Sequence, residues 1–208
     1  MINSYRELSI AKYEEIQKIF EQDIDAYDKQ IGLIACLADM DVEEVYNLPI
    51  SKCQALAQNT AFLYDLPKPK SSIPNKITIA GQKYTILKAV DKMSAGQYID
   101  LQNYIKNQMG VSWILTTILI PDGHKYDDGY DIAELERVIY NNFNIEDAGS
   151  IAFFLRRKLQ TTINASLLYL DWTLKRMAKK MNPEQKKEVE EARKKLRALK
   201  VNGNGSIW

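Results

Sequence analysis

Residues 145–181 read IEDAGSIAFFLRRKLQTTINASLLYLDWTLKRMAKKM, and this stretch decides the fold class. Ile151, Phe154, Leu155, Leu159, Ile163, Leu167, Leu170, Leu174 and Met177 keep close to one stripe at three- and four-residue spacing, the period of an α-helix. No proline interrupts the pattern before Pro183. At ~1.5 Å per residue such a helix would be roughly 55 Å long. The spacing therefore predicts either a break near Gly149-Ser150 or Thr161-Thr162, or one long element crossing the whole domain. Asn182-Pro183-Glu184 then restarts a helix, with a cap followed by proline at the first helical position. That last helix is mostly charged, with Glu190–Lys194 and Glu191–Lys195 at i,i+4 and a weak stripe of Val189, Ala192, Leu196 and Leu199.

Upstream, helical patterns dominate. Ile10, Tyr13, Ile16, Gln17 and Phe20 form one face behind Ser9 as N-cap, and Ile31, Ile34, Ala35 and Ala38 form another over residues 25–38. Asp41-Val42-Glu43-Glu44 and Ser94-Ala95-Gly96-Gln97 have the shape of capping boxes, as does Asp131-Ile132-Ala133-Glu134. After Asn47-Leu48-Pro49 a helix is expected to start with Ser51 as cap and to run to about Tyr64. After Ser94, Tyr98, Leu101, Gln102 and Ile105 recur at three- to four-residue spacing, and a helix to about Met109 is expected. Residues 112–120 are apolar at most positions, and periodicity does not separate a buried helix from a buried strand there; a helix capped by Ser112 is the favoured reading. The exception to helix is residues 76–86, KITIAGQKYTI, two alternating runs about a Gly-containing turn: a β-hairpin pairing Ile77 and Ile79 with Tyr84 and Ile86. A two-stranded ribbon is marginal alone, so it must pack on helices or add to another chain's sheet.

The expected fold is thus mainly α with a small β-hairpin (α+β): a helical bundle with long C-terminal helices. Its parts are an acidic helical region over 1–65, a Pro/Lys linker over 66–75, a β-hairpin plus helical domain over 76–181, and a basic helix with a flexible tail over 182–208.

The 208 residues carry 28 Lys+Arg and 27 Asp+Glu, a formal net charge of +1. That balance is a cancellation. Residues 1–66 carry −7, residues 67–150 carry −1 and residues 151–208 carry +9. The two cysteines, Cys36 and Cys53, sit among apolar residues and read as buried free thiols rather than a disulfide framework. His124 is the only histidine, so a histidine-built zinc site or a Ser-His-Asp triad would depend on that one residue. None of the nine glycines falls in a phosphate-binding spacing. The apolar run from Trp113 to Ile120 is too short to span a bilayer, and the first residues lack the pattern of a secretory signal, so a soluble protein of the cell interior is expected, with no membrane partner.

Asp122, Asp127, Asp128 and Asp131 lack the spacing and bidentate Glu of a calcium loop. Neither Tyr98, Asp100 and Gln102 nor Glu134 and Glu136 form a set whose types and spacing demand acid–base chemistry. No catalytic residue, cofactor or metal ligand is assigned, and a non-enzymatic protein is expected. The candidate interface residues are Arg156, Arg157 and Lys158, then Arg193, Lys194 and Lys195, and the terminal Ile207 and Trp208. A basic region of this kind could follow phosphates, but only Tyr169 and Trp172 interleave it; a solvated face, or a contact with the acidic region of an adjacent copy, fits better.

Several segments resemble tailed-bacteriophage morphogenesis proteins, above all those of gut Bacteroidales phages. They are Lys12–Ile19, Ile31–Leu37 and Val45–Ile50, then Lys76–Tyr84 with Ala95–Asp100, and Ile120–Tyr126 with Gly129–Ile132. The resemblance covers roughly residues 5–180 and consists of packing and turn residues. It implies a non-enzymatic virion structural or assembly protein of the tail or head–tail connector, forming homo-oligomers and contacting other phage structural proteins. The implied place is the host cytoplasm during assembly and, for a built-in component, the virion. A transient chaperone for a tape-measure-like protein is the variant of this role; nucleic-acid binding through the basic helices is the alternative to it.

Overall fold

The computed structural model describes residues 1–65, 67, 69–178 and 183–201, the last stretch without the side chains of residues 197 and 199–201. Its elements in chain order are α1 (Ile10–Glu21), α2 (Ala26–Ala38), α3 (Val42–Tyr46), α4 (Ile50–Gln58) and a 3-10 turn (Ala61–Tyr64). Strands β1 (Lys76–Ile79) and β2 (Gln82–Ile86), a 3-10 turn (Val90–Lys92), α5 (Ala95–Lys106), α6 (Val111–Thr116) and β3 (Leu119–Pro121) follow. The chain continues with α7 (Ile132–Asn142), α8 (Ile145–Ala178) and α9 (Pro183–Val201). The fold is mainly α with one small antiparallel sheet. Two compact units are present, residues 1–88 with 93–153 and residues 89–92 with 154 onward. The division falls within α8 rather than at 66–75.

In the first unit the helices start where short polar side chains satisfy the free N–H groups of the first turn. Ser9 Oγ accepts from Lys12 N at 3.2 Å and Asp25 Oδ1 from Asp28 N at 2.8 Å. At Ser94 the box closes both ways: its Oγ accepts from Gln97 N at 3.1 Å, and Gln97 Oε1 accepts from Ser94 N at 3.0 Å. At α3 the Glu44 carboxylate accepts from Asp41 N at 3.0 Å. Asp131 Oδ1 caps α7 by accepting from Ala133 N and Glu134 N, while Glu134 turns to Arg137 instead of closing a box. α4 starts at Ile50 behind Pro49, not behind Ser51, because Pro49 supplies the carbonyl that accepts from Lys52 N and Cys53 N. It stops at Gln58, and a 3-10 turn carries the chain to Tyr64.

Ile31, Ile34 and Ala35 of α2, Val45 of α3 and Cys53 of α4 form one buried cluster, with Met40, Leu48 and Leu56 packed against it. A second layer is built by sequence-distant pairing. Ile10 N donates to Phe143 O at 3.1 Å and Ile145 N to Leu8 O at 2.8 Å, around a Ser9–Asn144 bridge. Leu8, Ile10 and Phe143 are buried there, so the entry to α1 and the junction of α7 with α8 are zipped together.

The hairpin forms in the expected place, with Ile77 opposite Tyr84 and Ile79 opposite Gln82. Ala80 and Gly81 take φ of 49° and 80°, the left-handed pair that a two-residue hairpin turn needs. Its missing neighbour comes from the same chain: β3 pairs with β2, Tyr84 opposite Pro121 and Ile86 opposite Leu119. The run 112–120 is therefore helix to Thr116, a two-residue turn, and strand from Leu119, and Gly110, not Ser112, precedes α6. Ile79, Tyr84, Ile86, Leu119 and Pro121 share the buried face, while Thr85 and Lys83 face out, the alternation of a sheet covered on one side. On α5 the buried positions are Gln97 and Leu101; Tyr98 and Gln102 lie outside, because the capping glutamine takes the inward place.

Residues 69–75 are held along the first unit. Lys70 N donates to Ser150 Oγ at 3.0 Å, Ile73 is buried, and Lys70 Nζ pairs with Asp147 and lies 3.6 Å from Glu146. Burial alone would raise the Asp147 pKa, but the Lys70 ammonium and the Asn144 amide, 3.0 Å away, hold it below the usual carboxylate value. A group depressed on folding stabilises fully above its unfolded pKa, and that contribution disappears as pH falls through the folded pKa. Between about pH 5 and pH 2 the urea midpoint of the wild type should thus fall more steeply than that of Asp147→Asn. Parallel acid slopes for the two proteins would show that the Lys70 pairing contributes nothing.

α8 is continuous over 34 residues, about 51 Å, the long-element alternative of the two expectations. Ser150, Thr161 and Thr162 stay inside it by donating to the carbonyls four residues back, at 2.7, 2.8 and 3.0 Å. In the second unit Leu155 and Leu159 are buried. Arg193 Nε donates to Asp171 Oδ1 at 2.8 Å and ties α9 to α8, where Val189, Ala192 and Leu196 are half-buried. Pro183 opens α9; its expected cap, Asn182, lies outside the described residues. No helix among the described residues is long and apolar enough to cross a membrane.

Candidate functional site

Asp100, Asp122, Asp131 and Glu136, which a catalytic or metal reading would draw on, have structural partners. Asp122 accepts from Lys76 Nζ at 2.7 Å and Thr85 Oγ1 at 3.1 Å, and Asp131 caps α7. Asp100 accepts from the Tyr126 hydroxyl at 2.8 Å and Glu136 from Ser112 Oγ at 2.6 Å. Burial first, and then the Asp100 carboxylate, push the Tyr126 pKa far up, so this hydroxyl stays protonated and latches the 122–130 loop to α5. His124 Nδ1 lies 2.9 Å from the Asp128 carbonyl and its ring meets Tyr130 edge-on, which makes it a loop brace. Among the described residues no group of three or more His, Cys, Asp or Glu is placed to hold a metal ion.

The basic candidates separate by environment. Arg157 and Lys158 are exposed, with Lys158 Nζ 5.4 Å from the centre of the Phe154 ring, while Arg156 is half-buried. Lys194 and Lys195 face solvent. Arg193 does not: its side chain is only 11% exposed, held by Asp171 and, at 3.0 Å, by Glu190. It is a structural arginine whose guanidinium pairs α9 with Asp171 of α8 rather than standing free at the surface. Ile207 and Trp208 lie outside the described residues.

What sequence periodicity did not single out is the other side of α8. Leu168, Tyr169 and Trp172 are 55%, 65% and 54% exposed, although each is a residue that burial would favour. Leu168 and Trp172 are four apart and Tyr169 and Trp172 three apart, so they share a face; the two rings lie 6.1 Å apart. Arg176 sits 5.6 Å over the Trp172 ring, and Lys175 is exposed beside it. This helix is apolar on both sides over its second half. A helix apolar on more than one face calls for more than one neighbour.

The first unit carries a second exposed apolar surface, an open groove of about 640 Å³ between α1, α2 and α3. Ile19, Ile24, Met40 and Val42 give it an apolar floor. Glu15, Asp28, Asp39 and Asp41 stand on its rim with Lys12 and Lys18. Lys12 is neutralised by Asp39 at 2.7 Å and Glu15 at 3.4 Å, so the rim stays acidic. Tyr46 donates to Asp28, a hydrogen bond that pushes its pKa up to about 12. Cys36 lines the same groove. Burial first, offset in part by Lys12 and reinforced by Glu15, pushes its thiol up to about 11, so it is protonated and weakly nucleophilic at neutral pH.

Fold and surfaces together define a mainly helical protein whose described residues include an exposed apolar helix face flanked by cations and an acid-rimmed apolar groove, with Asp100, Asp122, Asp131 and Glu136 engaged in caps, pairs and latches. No family model, no curated protein and no solved structure matches the chain.

Proposed function

We propose that the chain is a non-enzymatic assembly protein acting through protein–protein contacts, of the tailed-phage morphogenesis type that its segments resemble, in a tail or head–tail connector. The observation that carries this reading is the exposed Leu168, Tyr169 and Trp172 face of α8. Large side chains on a well-formed helix, aromatic and flanked by cations, have the composition of the energetic centre of an interface. Such a role needs no reactive group, and the engaged Asp100, Asp122, Asp131 and Glu136 agree with it.

Mass spectrometry of purified particles of the encoding phage, beside its infected lysate, tests the role. The chain's peptides are expected in the particles at several copies each. Presence in lysate alone converts the reading to the transient chaperone of a tape-measure-like protein. Detection in neither, with the gene expressed, rejects both versions.

One observation favours nucleic acid as the second reading: Tyr169 and Trp172 are exposed beside Lys175 and Arg176, so stacking and phosphate contact are both open. That reading requires DNA affinity that drops steeply with salt, and affinity unchanged between low and moderate salt removes it.

A further inference from the structure

We propose that the acid-rimmed groove of one copy receives the Leu168/Trp172 face of α8 from a second copy, in a head-to-tail contact that leaves one free groove and one free helix face on every pair. The inference rests on the protein-contact reading above and names its partner. Three features on the two surfaces match.

The first is shape. The groove is an open trough lined by three helices, and an exposed helix presenting anchors at i, i+4 and i+7 is the shape that fills such a trough. Leu168, Trp172 and Lys175 occupy those positions on α8. The second is apolar surface. Val42 and Tyr46 of the trough are each 48% exposed, as unsatisfied as Leu168 and Trp172 are on the helix. Bringing the four together removes from water the large apolar side chains that neither unit buries for itself. The third is charge. Lys175 and Arg176 flank the aromatic anchor, and Asp28 and Asp41 flank the trough floor. The same asymmetry runs along the chain, in which residues 1–66 carry −7 and residues 151–208 carry +9. Opposite potentials steer the encounter of unlike ends, and like potentials oppose groove-to-groove and helix-to-helix pairing. Because the two patches differ, the contact is heterologous and repeats, closing into a ring or extending as a filament.

Two exposed positions test this without touching a core. Val42→Lys places a cation on the trough floor, and Trp172→Glu places an anion in the helix anchor; far-UV circular dichroism of each should match wild type. Sedimentation of the full chain over ~1–200 µM at low salt should show wild-type mass growing with concentration and shrinking as salt screens the rim. Each variant alone should self-associate at least tenfold more weakly. Mixed in equal amounts, the two should form a 1:1 dimer and nothing larger, since Val42→Lys keeps an intact helix face and Trp172→Glu an intact groove. A monomer at every concentration overturns the head-to-tail contact while leaving the assembly reading to the particle composition. Self-association that survives either substitution, or a mixture that stays monomeric, overturns this pairing of surfaces. Duplex DNA binding that Trp172→Glu abolishes, without self-association, assigns the helix face to nucleic acid and overturns the proposal as well.

Discussion

Phe143→Ala is expected to lower the free energy of unfolding by about 3–5 kcal/mol, the cost of a phenyl group removed from a site that cannot collapse around the cavity. Phe143 is almost completely buried. Its backbone is held twice, with N donating to Ile139 O at 2.9 Å and O accepting from Ile10 N at 3.1 Å. The ring therefore cannot be replaced by a shift of the chain, because the same residue closes α7 and zips the entry of α1 to the start of α8. Typical domains have only ~5–15 kcal/mol in total, so the loss removes a large fraction of it. Phe143→Leu, which keeps most of the volume, should cost less than about 1.5 kcal/mol. Urea unfolding followed by far-UV circular dichroism measures both. A loss below about 1 kcal/mol for the alanine variant would falsify the closed layer of Leu8, Ile10 and Phe143.

That layer was not legible in the sequence, and the reason is physical. Ser9 and Asn144 are joined by a bridge across most of the chain, and no local pattern encodes which distant segment supplies a backbone partner. Local chemistry, by contrast, was readable. The caps at Ser9 and Ser94 act within three residues, and the Ala80-Gly81 turn within two. The stretch 112–120 shows the boundary between the two cases. Both a buried helix and a buried strand satisfy continuous apolarity, and only the pairing of Ile86 with Leu119, a tertiary event, ends α6 and begins β3. On α5 the recurrence of Tyr98, Leu101, Gln102 and Ile105 marks the helix but not which of them points inward: Gln97, one residue before Tyr98, is buried by its bond to the Thr117 carbonyl, and Tyr98 is exposed.

The charge asymmetry was likewise readable, since it is a count along the chain, and both candidate surfaces inherit their sign from it. Which residues present those surfaces was not. The stripe through Ile163, Leu167, Leu170, Leu174 and Met177 obscures the fact that Leu168, Tyr169 and Trp172 stand on a different side of the same helix. Arg193, counted among surface cations, is drawn into the seam by Asp171, a carboxylate 22 residues away. Charge type indicates where a group prefers to be; a buried partner can reverse that preference.

Gln97→Ala should be the most damaging polar substitution, with a loss of about 2–4 kcal/mol. Gln97 is buried and its amide does two jobs. The oxygen accepts from Ser94 N at 3.0 Å and finishes the box at the start of α5, and Nε2 donates to the Thr117 carbonyl at 2.9 Å. Loss of the cap half costs about 1 kcal/mol, and a buried carbonyl left without its donor adds roughly 1–3 kcal/mol. Thr117 lies at the turn where α6 gives way to β3, so this one amide joins a helix start to the edge of the sheet. Gln97→Glu separates the two jobs. A carboxylate preserves the acceptor at Ser94 but offers no proton to Thr117 when ionised, and it places a charge against a carbonyl oxygen in a buried site. The glutamate variant should therefore be at least as unstable as the alanine variant near neutral pH, and it should regain stability below about pH 5 as the carboxyl takes up a proton and becomes a donor. Denaturant midpoints of the three proteins between about pH 4 and pH 7 decide the matter. A glutamate variant as stable as wild type at pH 7 would mean that the Thr117 contact adds nothing and that the cap alone holds Gln97 in place.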